Sequence, residues 1–88
     1  MIQQQTPWRL LVSNALNSLN GKAHLNQIYE IILEKPNRKL YSNWKARVRA
    51  TLEENSSDSE AWLGKKDIFK LVEKGKGIWA LRDYHAKD

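Results

Sequence analysis

Hydrophobic positions in the first half of the chain recur at helical spacing. Trp8, Leu11, Val12, Ala15, Leu16 and Leu19 fall at i, i+3, i+4, i+7, i+8 and i+11, which predicts an amphipathic helix over residues 6–20. Thr6 is its expected cap. Pro7 suits the first helical position, where its missing N–H has no partner to lose. Asn20-Gly21 ends the pattern, with Gly21 suited to a left-handed C-terminal cap. Lys22 and Ala23 read as a short extended link. Leu25, Ile28, Tyr29, Ile32 and Leu33 predict a second helix over 25–34, with His24 before it as a cap or surface residue and Pro36 closing it. A basic turn follows from Asn37 to Leu40. Trp44, Val48 and Leu52 then recur every four residues and predict a third helix over 42–55, capped by Ser42. At 100° per residue, Ser42, Asn43, Ala46, Arg49 and Ala50 point away from its buried stripe, and Lys45 and Arg47 flank that stripe on opposite sides.

The period changes after residue 55. Asn55-Ser56-Ser57-Asp58-Ser59 is a turn cluster. Ile68 to Glu73 and Ile78 to Arg82 have strand composition, and Lys74-Gly75-Lys76-Gly77 between them supplies the positive φ angles of a hairpin. The predicted hairpin covers residues 67–82. Gly64 permits a bend ahead of it. The order is therefore helix, link, helix, helix, hairpin, an α+β class with the layout of a winged helix-turn-helix. Its expected core is Trp8, Leu16, Ile28, Trp44, Leu52, Phe69, Trp79 and Leu81.

Charge sharpens this picture. The 88 residues make one domain of ordinary globular composition, 41% hydrophobic and 28% charged, with a net charge of +5. Residues 1–34 are neutral. Residues 35–50 hold Lys35, Arg38, Lys39, Lys45, Arg47 and Arg49 with no acid. Glu53, Glu54, Asp58 and Glu60 make the next stretch acidic, and residues 61–82 are basic again. Two basic blocks around an acidic one predict a polyanion met by two elements; a solvated basic surface is the alternative. The acidic stretch is expected to face away from phosphates or to restrict which geometry docks. Cysteine is absent and only His24 and His85 could serve as imidazole ligands, so disulfides, thiol chemistry and a metal site are not expected. With no phosphate-binding glycine loop either, an enzyme is not expected, and no cofactor is implied. No run approaches the length of a membrane span, and no signal-peptide pattern opens the chain, which predicts a cytoplasmic setting without membrane attachment.

These features point to double-stranded DNA. A helix fits the major groove, about 12 Å across. The third helix would offer Tyr41, Ser42, Asn43, Lys45, Ala46, Arg47 and Arg49. Asn reads adenine and Arg reads guanine through paired hydrogen bonds. Lys45 and Arg47 suit phosphates, as do Lys65, Lys66 and the hairpin-tip lysines Lys74 and Lys76. Contacts to about four to six phosphates predict a steep salt dependence. Arg49 could instead pair with Glu53 or Asp58, and Asn43 could instead cap the helix.

The chain also resembles a known family. The pattern runs through Trp8, Leu19-Asn20-Gly21, Ile28-Tyr29, Asn43-Trp44-Lys45-Ala46-Arg47-Val48-Arg49, Leu52-Glu53, Asn55-Ser56-Ser57-Asp58-Ser59, Trp62-Leu63-Gly64, Asp67-Ile68-Phe69 and Gly77-Ile78-Trp79-Ala80-Leu81-Arg82. It looks like the winged-helix domains attached to bacterial restriction endonucleases, including those joined to HNH nucleases. The resemblance spans nearly the whole chain and is most specific from Asn43 to Arg82. It implies a reader of DNA in a restriction system, working with a nuclease domain or chain, and a pocket that senses a modified base such as N6-methyladenine. Trp44, Asp58, Ser59 and Trp62 are the candidates for that pocket. Trp62 could equally pack its loop over the core, and Asp58 and Ser59 could simply form the turn. A conventional transcriptional regulator is an alternative reading, although a regulator would usually carry a dimerisation helix. A protein–protein docking module is the competing class.

Overall fold

The computed structural model describes residues 6–34, 40–73 and 75–84. The three apolar stripes fold as α1 (Trp8–Ser18), α2 (Leu25–Glu34) and α3 (Trp44–Glu54). Three strands complete the domain: β1 (Lys22–His24), β2 (Phe69–Glu73) and β3 (Ile78–Leu81). They form one antiparallel sheet in the order β1-β3-β2. The extended link is thus a true strand, with Ala23 opposite Trp79.

α2 spans the residues read from the sequence, whereas the ends of α1 and α3 lie one or two residues inside that reading, for local reasons. Pro7 occupies the cap position of α1 rather than its first turn, and its carbonyl accepts the Leu10 and Leu11 N–H groups. At the other end Asn20 takes the left-handed conformation (φ 67°). The Asn20 N–H then bonds Asn17 O and the Gly21 N–H bonds Leu16 O, the paired bonds of a Schellman ending. Gly21 has φ 92°, and a Cβ there would lie 2.8 Å from the Tyr84 ring. Glycine is therefore required by both conformation and space. The cap position of α3 is Asn43, not Ser42, and no side chain caps it.

α2 starts on a reciprocal pair. Nδ1 of His24 accepts the Asn26 N–H at 3.0 Å, and Oε1 of Gln27 accepts the His24 N–H at 3.0 Å. This is a capping box built on histidine. His24→Ala is expected to cost about 1 kcal/mol, read as a fall of about 4–8 °C in Tm by thermal unfolding. An unchanged Tm would remove the box from the stability of α2.

The core lies between the helices and one face of the sheet. Leu11, Val12, Ala15 and Leu16 meet Ile28, Tyr29 and Ile32, Val48 and Leu52, and Phe69 and Trp79. Trp8, Trp44 and Leu81 pack against this cluster from its edge and are only partly buried. Leu33 lies off the buried stripe and is 55% exposed. The hairpin strands begin at Phe69, so residues 67 and 68 belong to the preceding loop. The hairpin register shifts between Leu71 and Glu73, leaving Val72 as a bulge.

Candidate nucleic-acid interface

α3 buries Val48, Thr51 and Leu52 and turns its other face to solvent. Lys45, Ala46, Arg47 and Arg49 are all exposed, as are Tyr41, Ser42 and Asn43 ahead of the first turn. Around the helix, Lys45 and Arg49 lie on one flank, Arg47 on the other, and Ala46 and Ala50 between them. Small residues between cationic flanks let the backbone of α3 approach another surface closely.

Each flank has its own support. On the α2 side, Tyr29 is the anchor. Its hydroxyl accepts a hydrogen bond from Nη1 of Arg49 at 3.1 Å. Its ring meets Trp44 edge-on at 5.6 Å, and the Lys45 ammonium stands 5.3 Å from the ring centre. Arg49 therefore pairs with neither Glu53 nor Asp58. Tyr29 was legible in the sequence only as an apolar residue; its hydroxyl, which seeks a partner when the ring is buried, was the available signal. On the other flank, Nη2 of Arg47 holds Oε1 of Glu54 at 2.6 Å and Nε reaches Thr51 Oγ1 at 3.4 Å. Arg47 is thus engaged along its own helix. Asn43 has no side-chain capping bond, so capping does not occupy its amide.

Lys65, Lys66 and Lys76 are exposed and make no ion pair with described residues. Lys74 lies outside the described residues, as do Lys35, Arg38 and Lys39 of the basic turn.

The loop from Asn55 to Ile68 is tied down throughout. The Asn55 carbonyl accepts both the Ile68 and Phe69 N–H groups. Arg82, just after β3, clasps the loop: its Nη2 lies within hydrogen-bonding distance of Asp58 Oδ2 at 3.1 Å, Ser56 Oγ at 3.4 Å and the Phe69 carbonyl, and forms an ion pair with Asp67 at 3.0 Å. Asp58 also accepts the Leu71 N–H at 2.9 Å. The Ser57 N–H and hydroxyl both donate to Asp67, and these bonds, with help from Arg82, hold its carboxyl below the ordinary aspartate range. A carboxylate depressed in this way stabilises the fold at pH above its unfolded value of about 3.9, and that contribution disappears as pH falls through the folded value. Wild-type stability is expected to drop below about pH 4, and Asp67→Asn to flatten part of that acid limb in urea titrations. An acid limb unchanged by the substitution would exclude Asp67 from it.

The four pocket candidates do not converge. Asp58 and Ser59 line one open depression of about 410 Å³ together with Glu53, Glu60, Ala61, Leu71 and Trp79. Trp44 stands against Tyr29, and Trp62 donates its indole N–H to the Lys66 carbonyl at 2.9 Å. The aromatic wall of the depression is Trp79, which the sequence marked only as core. Among the described residues no group of three or more His, Asp or Glu could hold a metal ion, and no helix is long and apolar enough to cross a membrane. No family model, curated protein or solved structure matches the chain.

Proposed function

We propose that this chain is a winged-helix module that binds double-stranded DNA, with α3 in the major groove and the β2–β3 hairpin on the flanking backbone. The observation that carries this reading is the open face of α3. Asn43, Lys45, Ala46 and Arg49 are exposed together at its N-terminal half, and the sheet order β1-β3-β2 leaves β2 and β3 as an antiparallel hairpin following it. Arg49 is pre-positioned by Tyr29, which lowers the ordering cost of a base contact. The family resemblance adds the biological setting: a reader domain of a restriction system, acting in the cytoplasm beside a nuclease domain or chain and sensing a modified base such as N6-methyladenine. Within this reading the base meets the depression beside Trp79, whose polar lining is Asp58 and Ser59 together with Glu53 and Glu60, which make no ion pair with described residues. Catalysis and cofactors play no part in it.

Fluorescence anisotropy with matched duplexes tests it. The panel holds unmodified, N6-methyladenine and 5-methylcytosine versions at two salt concentrations. A preference for one modified duplex that survives higher salt is the expected result. Asn43→Ala and Arg49→Ala should each shift preference between sequences by about 1–3 kcal/mol. Equal, salt-labile binding across the panel would leave only a basic surface. It would bring forward docking to a protein, a reading favoured by Leu10 and Leu33, which are 47% and 55% exposed on α1 and α2.

A further inference from the structure

The loop between α3 and β2 presents the most exposed large apolar side chain among the described residues. Leu63 is 63% exposed, and its neighbour Trp62 is 40% exposed. The two stand side by side, and backbone and indole hydrogen bonds within the loop hold them at the surface. The Trp62 indole is fastened to the Lys66 carbonyl, and the Leu63 N–H is fastened to the carbonyl of Glu54, the last residue of α3. Gly64 follows with φ 77° and open space around it. Lys65 and Lys66 come next, both exposed. The loop thus presents an apolar point beside a cationic base.

Its charge is more favourable to a polyanion than its composition suggests. Asp58 and Asp67 are paired with Arg82, and Glu54 with Arg47. Only Glu53 and Glu60 remain unpaired nearby, and both line the depression beside Trp79. The position also fits. The 11 residues of α3 span about 16 Å at 1.5 Å each, and the major groove is about 12 Å wide. With the N-terminal turn of α3 in that groove, the loop that is held at the C-terminal end of α3 by the bond from the Leu63 N–H to the Glu54 carbonyl lies about one helix length along from it.

We infer that residues 61–66 form a second DNA contact in which Leu63 enters between base pairs from the minor groove while Lys65 and Lys66 hold the flanking phosphates. Apolar wedges of this kind part a base step and kink the duplex by about 20–90°. The inference rests on the duplex-binding reading above. It adds that the protein deforms the DNA it binds, so that flexible pyrimidine–purine steps are preferred at a position no side chain reads.

The test uses the full chain and duplexes carrying 2-aminopurine at successive steps, with donor and acceptor dyes at the ends. Binding of the wild-type chain should raise 2-aminopurine emission at one step and shorten the end-to-end distance. Leu63→Ala, a surface change whose fold is checked by circular dichroism, should abolish both signals while duplex binding persists. Leu63→Met should restore them. Lys65→Glu with Lys66→Glu should lower the slope of log affinity against log salt by about 2. Wild-type binding without a rise in emission, or the same rise from Leu63→Ala, would overturn the wedge and leave duplex binding intact. Failure of the wild-type chain to bind any duplex would overturn the wedge and the parent reading together. Sedimentation with phosphatidylserine–phosphatidylcholine vesicles that is lost in Leu63→Ala, alongside unchanged 2-aminopurine signals, would assign the tip to a lipid surface instead.

Discussion

Phe69→Ala is expected to destabilise the domain by about 3–5 kcal/mol, the usual cost of removing a buried aromatic ring. Phe69 has no exposed surface and stands opposite Leu81 in the hairpin. Its backbone also takes part in two other ties: its N–H reaches the Asn55 carbonyl, and its carbonyl receives Arg82. A cavity at this point lies where α3, the loop and the sheet meet. Domains hold only about 0.05–0.15 kcal/mol per residue, so for 88 residues the loss is a large share of the total. Urea denaturation should show a midpoint near zero or no cooperative transition. Phe69→Leu, which keeps most of the volume, should retain a cooperative transition at a lower midpoint. A Phe69→Ala unfolding free energy within about 1 kcal/mol of wild type would mean that the core closes without this residue.

The second large effect is on binding. Lys45→Glu combined with Lys76→Glu should reduce duplex affinity by at least about tenfold at low salt and lower the salt slope by about 2, because two phosphate contacts are replaced by repulsion. The two residues sit on α3 and at the hairpin tip, and both are exposed. Loss should be similar for every duplex, since phosphates carry no sequence information. Lys45 also stands over the rings of Tyr29 and Trp44, at 5.3 and 5.8 Å from their centres. Lys45→Gln separates the two roles: it removes charge without adding repulsion, and its thermal stability reports what the ring contacts contribute. Affinity and salt slope unchanged in the double variant would place the duplex elsewhere on the molecule.

The helices were readable because their signals are local. Leu11, Val12, Ala15 and Leu16 repeat within one segment, and all four are buried. The hairpin was readable from Gly75 and Gly77, which have φ 83° and 68°. β1 was read only as an extended link and not as a paired strand, because three residues carry no usable period and its partner is distant: Lys22 pairs with Ala80. The candidate site divides in the same way. Exposure of Asn43, Lys45, Ala46, Arg47 and Arg49 follows from helical geometry. The ties of Arg49 to Tyr29 and of Arg82 to Asp58 and Asp67 join residues remote in sequence, so spacing could not reveal them. Trp62 illustrates the limit most directly. Its ring is partly exposed while its N–H is satisfied within the loop, a division between two parts of one side chain that residue type does not encode.

The order of the sheet has a consequence for how the chain assembles. Among the described residues, β3 is the central strand and the last of the six elements along the chain, and β1 and β2 touch only through it. No part of the sheet can pair before residues 78–81 are available. The three helices have local contacts and can form early, whereas closing β1 onto β3 requires a loop that takes in α2, α3 and the long connection after them. During synthesis, sheet formation waits for Ile78–Leu81 to leave the ribosome. In the refolding reaction, the N–H groups of the sheet should gain protection together and later than those of α1.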